Sequence, residues 1–291
     1  MIKIMAGVVT YNRLPKLKTC LNHLMDIEGV DIVVFDNASN DGSNQYLNGL
    51  TTVTILHSST NIGGAGGFNQ LLHYGVNHGY DRIWIMDDDT YVTQDSLTAL
   101  IEADRLLDGR FTFLSSVVLF RDGNEFKMNR FKIAKHFQSD VPLLSHGLIR
   151  IKQATFVSCY IHVDAIKACG YPIKEYFIWG DDMEYTWRLS DHGKAYAVGQ
   201  SQVIHDMATN VGSSLANDDI DRLDRYIYAF RNDFATAKYH GLYGLCYYFG
   251  KCGITVIRIL RYGQNHRIKR LWILSRGMIA GLWFKPEIER S

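Results

Sequence analysis

Three consecutive carboxylates, Asp87-Asp88-Asp89, end the apolar run Arg82–Met86. Like charges beside a buried strand repel one another unless a cation binds among them. Alternate residues at a strand end face the same side, so Asp87 and Asp89 are placed to grip one hard cation together. The same triplet also reads as a solvated acidic turn before the next helix. His205 ends a second apolar run, Ala195–Ile204, and offers an imidazole as a third ligand. His23, His57, His73 and His78 have no such context.

Two further segments hold residue types that chemistry requires. Asn61-Ile62-Gly63-Gly64-Ala65-Gly66-Gly67 places four glycines ahead of a helical pattern. Glycines let the backbone approach a ligand closely, and a helix N-terminus favours an anion such as phosphate. The spacing is not that of the dinucleotide fingerprint, and a flexible turn is the plainer reading. Trp179-Gly180-Asp181-Asp182-Met183-Glu184 sets three carboxylates at a helix start. The helix dipole accounts for one or two of them, which leaves one to serve as a general base. The plainer reading is N-terminal capping, with Glu184 paired to Arg188 four residues on.

The elements that must position these groups are legible as a pattern. Lys3–Thr10, Asp31–Phe35, Val53–Leu56 and Arg82–Met86 read as strands, and Leu14, Leu17, Leu21 and Leu24 mark a helix between the first two. Strand–helix alternation predicts an α/β fold with a mostly parallel sheet, whose ligands bind beyond the carboxyl ends of the strands. Further on, Phe111–Phe120, Ile149–Cys159 and Ala195–Ile204 read as strands. His162–Cys169, Asp181–His192 and Asp218–His240 read as helices. A division into a catalytic domain over 1–240 and a helical appendage over 241–291 follows.

Composition narrows the class. Of 291 residues, 47% are hydrophobic and 21% charged, which excludes a disordered or collagen-like chain. The apolar runs are broken by charge before they reach membrane-spanning length. The N-terminus reads as an opening strand and lacks a signal-peptide pattern. Five cysteines without a C-x-x-C pair predict reduced thiols and a cytoplasmic protein. The net charge of +1 conceals an asymmetry: residues 1–233 hold 28 acids and 21 bases, whereas 234–286 hold nine bases and no acid. Bases interleaved with Tyr247, Tyr248, Phe249, Trp272 and Trp283 suit a helix lying on an anionic membrane surface. A packed helical hairpin with solvated cations is the alternative. No nucleic-acid-binding motif accompanies the bases.

Taken in order, Val8-Val9-Thr10-Tyr11-Asn12-Arg13, Asp36-Asn37-x-Ser39-x-Asp41-Gly42, the glycine segment, Asp87-x-Asp89, Trp179-x-Asp181-Asp182-x-Glu184 and His205 resemble the family 2 glycosyltransferases of the GT-A fold. The match spans roughly residues 3–240 and looks most like the galactofuranosyltransferase and rhamnosyltransferase branch. The resemblance implies a Rossmann-like nucleotide-sugar fold and a donor pocket lined by Thr10, Tyr11, Arg13, Asp36, Asn61, Gly63, Gly64, Gly66, Gly67 and Asp88. It implies Mn²⁺ or Mg²⁺ held by Asp87, Asp89 and His205, with Asp182 as the base. Trp179, Asp181 and Glu184 would meet the acceptor. The activity implied is inverting transfer of a sugar, galactofuranose from UDP-galactofuranose first, onto a glycan or lipid-linked saccharide in cell-surface polysaccharide synthesis. A dTDP-rhamnose-dependent enzyme and a catalytically silent sugar-nucleotide-binding subunit are the alternatives. The Thr155–Tyr160 segment lacks the paired tryptophans of better-known galactofuranosyltransferases.

Overall fold

The computed structural model describes residues 2–263 and 265–290. In chain order the elements are β1 (Ile4–Thr10), α1 (Leu14–Met25), β2 (Val30–Asp36), α2 (Ser43–Asn48), β3 (Val53–His57), α3 (Gly63–Asn77), β4 (Arg82–Asp87), β5 (Thr90–Tyr91), α4 (Gln94–Leu106) and β6 (Phe113–Phe120). They continue with β7 (Lys132–Ile133), α5 (Val141–Leu144), β8 (Leu148–Gln153), β9 (Cys159–His162), α6 (Val163–Cys169), α7 (Asp181–His192), β10 (Ala195–His205), α8 (Arg225–Tyr239), α9 (Gly241–Tyr262) and α10 (Arg267–Trp283).

All seven residues of β1 are buried, as expected of a strand covered on both faces. The two-residue period then sorts its side chains. Ala6 and Val8 share a core with Leu17, Leu21 and Leu24 of α1 and Leu97 and Leu100 of α4. Met5 and Val9 point the other way, into Phe68, Leu71 and Leu72 of α3. Each fully buried leucine contributes on the order of 2 kcal/mol. A Thr93–Ser96 capping box starts α4.

The strand order is β3-β2-β1-β4-β9-β6-β10-β8-β7, with β5 against β10. The first four are parallel, and the register pairs Thr10 with Asp36 and Val9 with Asp87, so their carboxyl ends are level. Beyond β4 the sheet is mixed rather than mostly parallel: β9 runs antiparallel to both β4 and β6. The run expected as one strand over Ile149–Cys159 is split for the same reason. The chain leaves β8 beside β10 and re-enters as β9 between β4 and β6. In between, Ser158 takes a positive φ of 86° and Ala154 exchanges hydrogen bonds with Thr186 of α7.

The chain forms two compact units. The first comprises residues 1–174, 182–210 and 288–291 and contains every strand. The second comprises 175–181 and 211–287. The boundary expected at residue 240 therefore moves forward, because α8 shares a core with α9 and α10: Tyr226, Phe230 and Phe234 pack with Tyr248, Ile259, Ile273 and Leu274. The long helix expected over Asp218–His240 begins only at Arg225, since the Tyr226 hydroxyl donates to Asp218 (2.6 Å) and folds the acidic lead-in back.

Residues 288–291 return to the first unit. There the Glu289 carbonyl accepts from the Tyr171 N–H (2.9 Å) and its carboxylate accepts from Asn69 of α3 (3.0 Å). Bonds from Lys174, Asn69 and His73 hold that carboxyl down, at about 2.

Close approach of α10 to α8 depends on Gly277 and Gly281. A Cβ on Gly277 would lie 2.7 Å from Phe230 Cβ and 3.0 Å from the Ile227 carbonyl oxygen, groups that cannot yield without moving the helix. Gly277→Ala should destabilise by about 1–3 kcal/mol despite alanine's higher helix propensity. Denaturant unfolding checks this, and a more stable variant would contradict the packing.

Candidate active site

Short pairing at the end of the sheet brings the acidic triplet to His205. Asp87 closes β4, and after two residues β5 pairs antiparallel with the end of β10, opposing Thr90 to His205. The Asp206 N–H also donates to the Asp89 carbonyl (2.9 Å). The imidazole Nε2 then lies 3.0 Å from Asp89 Oδ1. One ligand atom from each of Asp87, Asp89 and His205 lies within 4.8 Å of the others, a cluster of three among the described residues.

Asn129, which no sequence motif marks, orients the ring. Its Nδ2 donates to Thr155 Oγ1 (2.7 Å), so its Oδ1 faces His205 Nδ1 at 2.9 Å and requires the hydrogen to sit on Nδ1. Phe126 packs edge-on against the imidazole with centroids 5.1 Å apart. Nε2 is thereby aimed at a carboxylate oxygen. Two acceptors at that distance need a proton or a cation between them. Two carboxylates and an imidazole, with the second ring nitrogen fixed from outside, fit a divalent cation such as Mn²⁺ or Mg²⁺.

The same corner carries an arginine. The Arg13 guanidinium donates to Asp88 Oδ1 (2.9 Å) and to Asp89 Oδ2, bridging two of the three carboxylates. Thr10 Oγ1 donates to the other oxygen of Asp88 (2.8 Å). Burial pushes the Asp88 carboxyl up to about 7, although Arg13 pulls against it. Burial, then the charge of Asp89, raises Asp87. Burial acts to raise Asp89 too, but the hydrogen bonds and charges of His205 and Arg13 prevail and hold it below the usual carboxylate range.

The remaining expected residues fall at several places. Asp36 ends β2 fully buried, its oxygens accepting from the Ser39 N–H (3.1 Å) and Asn44 (3.2 Å). Tyr11 is exposed. Asn61 Oδ1 accepts from the Gly63 N–H (2.8 Å) and from Asn37 (3.0 Å), which ties the start of α3 to the end of β2. The glycines expected to form a turn lie inside α3. Gly67 permits close packing, since a Cβ there would meet Val9 at 2.8 Å and Phe35 at 3.1 Å, and Gly66 packs against Ile62. Gly63 adopts a positive φ of 78°, and Gly64 has open space beside it. In helical glycines the absent side chain thus serves the helix–sheet contact as much as any ligand.

In α7, Asp182 Oδ1 accepts from the Met183 N–H (2.7 Å), and the half-buried carboxylate lies near Cys159, whose thiol burial and then Asp182 push up. Glu184 gives both oxygens to Arg188 (2.8 and 2.9 Å), which also donates to the carbonyls of Cys169 and Tyr171. Its carboxylate braces the helix, in line with the i,i+4 reading. Trp179 and Asp181 belong to the second unit. Trp179 has a positive φ of 65° and packs edge-on against Tyr226 (4.8 Å). Asn232 of α8 donates to the carbonyls of Tyr176, Ile178 and Trp179 (2.9, 3.2 and 2.8 Å), a buried clamp that no spacing rule marks.

A half-parallel sheet with Asp-x-Asp and a histidine at its carboxyl edge defines the GT-A class of glycosyltransferase folds. The chain belongs to glycosyl transferase family 2, whose family model matches residues 6–160, more than half its length. It is 30% identical over 112 residues to an undecaprenyl-phosphate mannosyltransferase of Micrococcus luteus, an alignment covering 37% of this chain and 46% of the relative. It is 26% identical over 201 residues to galactofuranosyltransferase GlfT1 of Mycolicibacterium smegmatis, covering 65% of this chain and 66% of that one. The matched regions thus span less than two thirds of either relative. The mannosyltransferase PcManGT of Pyrobaculum calidifontis, solved with GDP-Man and Mn²⁺, superposes with a TM-score of 0.60 at 14% identity, over 97% of this chain and 87% of the other. At that identity the likeness establishes the shared fold.

If Asn129 sets the imidazole, Asn129→Ala should weaken Mn²⁺ binding by about 10–100-fold. Titration calorimetry of the free protein with Mn²⁺ measures this. Unchanged affinity would show that the ring needs no outside orientation.

Proposed function

We propose that this protein is an inverting, metal-dependent glycosyltransferase that moves a sugar from a nucleotide donor to a glycan or lipid-linked saccharide in cell-surface polysaccharide synthesis. Meeting such an acceptor places the enzyme on the cytoplasmic side, at the inner face of the cell membrane. The convergence of Asp87, Asp89 and His205 at the carboxyl edge of the sheet carries the reading. A divalent cation bound there supplies positive charge against the diphosphate as the sugar–phosphate bond breaks. Thr10, Tyr11, Arg13 and Asp36 border the nucleotide, with Asn61, Gly63 and the open space at Gly64 beside the phosphates. Asp88, paired with Arg13 and held by Thr10, keeps the first strand's end against the triplet.

The chemistry assigned to the chain is a single displacement. Asp182 takes the proton from an acceptor hydroxyl, the hydroxyl oxygen bonds to the anomeric carbon, and the nucleoside diphosphate leaves with the bonding pair. Attack opposite the leaving group inverts the anomeric configuration. Trp179 and Asp181 are assigned to the acceptor, Trp179 by the flat face of its indole. Glu184 is assigned there as well, through its bracing of α7.

The donor favoured is UDP-galactofuranose, supported by the similarity to a galactofuranosyltransferase over 65% of the chain. A mannose donor is the second reading, since a second relative and a structural neighbour are both mannosyltransferases. A screen of UDP-galactofuranose, dTDP-rhamnose and GDP-mannose with Mn²⁺, following nucleoside diphosphate release with and without lipid-linked acceptor, separates them. Asp182→Asn should lower transfer by about 10²–10⁴-fold and leave nucleotide binding intact. Normal turnover by that variant would place the base elsewhere. A product with the donor's anomeric configuration would exclude the single displacement.

A further inference from the structure

On α10 the buried stripe is Arg270, Ile273, Leu274, Gly277 and Gly281. A helix on a solvated surface presents polar residues opposite such a stripe. Here the opposite face is apolar. At 3.6 residues per turn, Ile268, Trp272, Ile279, Leu282 and Trp283 fall on one strip with Ser275 directly away from the buried side. Ile268 is 85% exposed and Trp283 81%. Cations flank the strip on both sides, Arg267 along one edge and Lys269 and Arg276 along the other, with the Arg276 guanidinium 4.9 Å over the Trp272 ring. The neighbouring α9 is likewise apolar outward, at Leu242, Tyr243, Ile254, Ile257 and Leu260, all more than half exposed. None of the helices among the described residues is long and apolar enough to cross a membrane.

We propose that the outward face of α10 is a membrane-binding surface that lies in the headgroup region of an anionic bilayer. Tryptophans and branched aliphatics enter the acyl boundary while the flanking arginines and lysine stay among the phosphates, their stems along the apolar strip. Charge selects this occupant. Residues 234–286 contain nine bases and no acid, so a second copy of the face would bring like charges together, whereas anionic lipid complements them. Nucleic acid would call for cations along the crest of the helix and apolar groups at its edges, the reverse of what is found. The strip includes none of the residues assigned to sugar transfer, so membrane binding and sugar transfer are separable properties.

The test is co-sedimentation of the full chain with vesicles of phosphatidylglycerol and phosphatidylcholine, against vesicles of phosphatidylcholine alone. The protein should pellet with the anionic vesicles at low salt and progressively less as salt rises. The double variant Trp272→Ser, Trp283→Ser removes two exposed side chains and should fold normally, yet bind at least about tenfold more weakly. Failure of the wild type to bind, or equal binding by the variant, would overturn the proposal. So would sedimentation equilibrium showing a dimer that the two substitutions dissociate, or an RNA duplex displacing the vesicles at equal charge.

Discussion

Three carboxylates at the buried end of β4 form the constraint to which the rest of the site responds. A strand inside a sheet covered on both faces has no solvated edge at which to shed its charge, and Asp88 and Asp89 are almost fully buried. The protein answers with fixed partners from separate elements: Arg13 from the β1–α1 loop, Thr10 from the end of β1 and His205 from the end of β10. One guanidinium and one imidazole do not balance three carboxylates. Burial first, and then the charge of Asp89, pushes Asp87 and Asp88 up, and the uneven balance suits the corner to an added divalent cation.

The mixed half of the sheet follows from that need. His205 is 116 residues from Asp89, and the short antiparallel pairing of β5 with β10 brings the two into contact. Asn129 then completes the orientation by removing the freedom of the ring to choose its tautomer. Level carboxyl ends on β1, β2 and β4 set Thr10, Asp36 and Asp87 along one edge, the location a nucleotide site takes in sheets of this kind.

Much of this was legible in the residues. Strands β1 to β4 follow from short apolar runs, and α7 begins and ends where its acidic start and following Gly193 predict. Asp87, Asp89 and His205 were recognisable because each ends an apolar run. Asn129 and Asn232 were not, since each acts through contacts across long sequence separation and sits in no motif. The glycines of α3 misled in part: composition announces a flexible loop, whereas Gly67 is required by the close approach of Val9 and Phe35. The grouping of α8 with α9 and α10 was hidden as well, because a shared core between consecutive helices leaves no linker to mark a boundary.

The central claim is that His205 joins Asp87 and Asp89 as a ligand to one divalent cation. Electron spin-echo modulation of Mn²⁺ bound to the free protein reads the bound ligand atoms directly. A modulation from a single imidazole ¹⁴N, lost in His205→Ala, is the predicted result. A spectrum from oxygen ligands alone in the wild-type protein would contradict it.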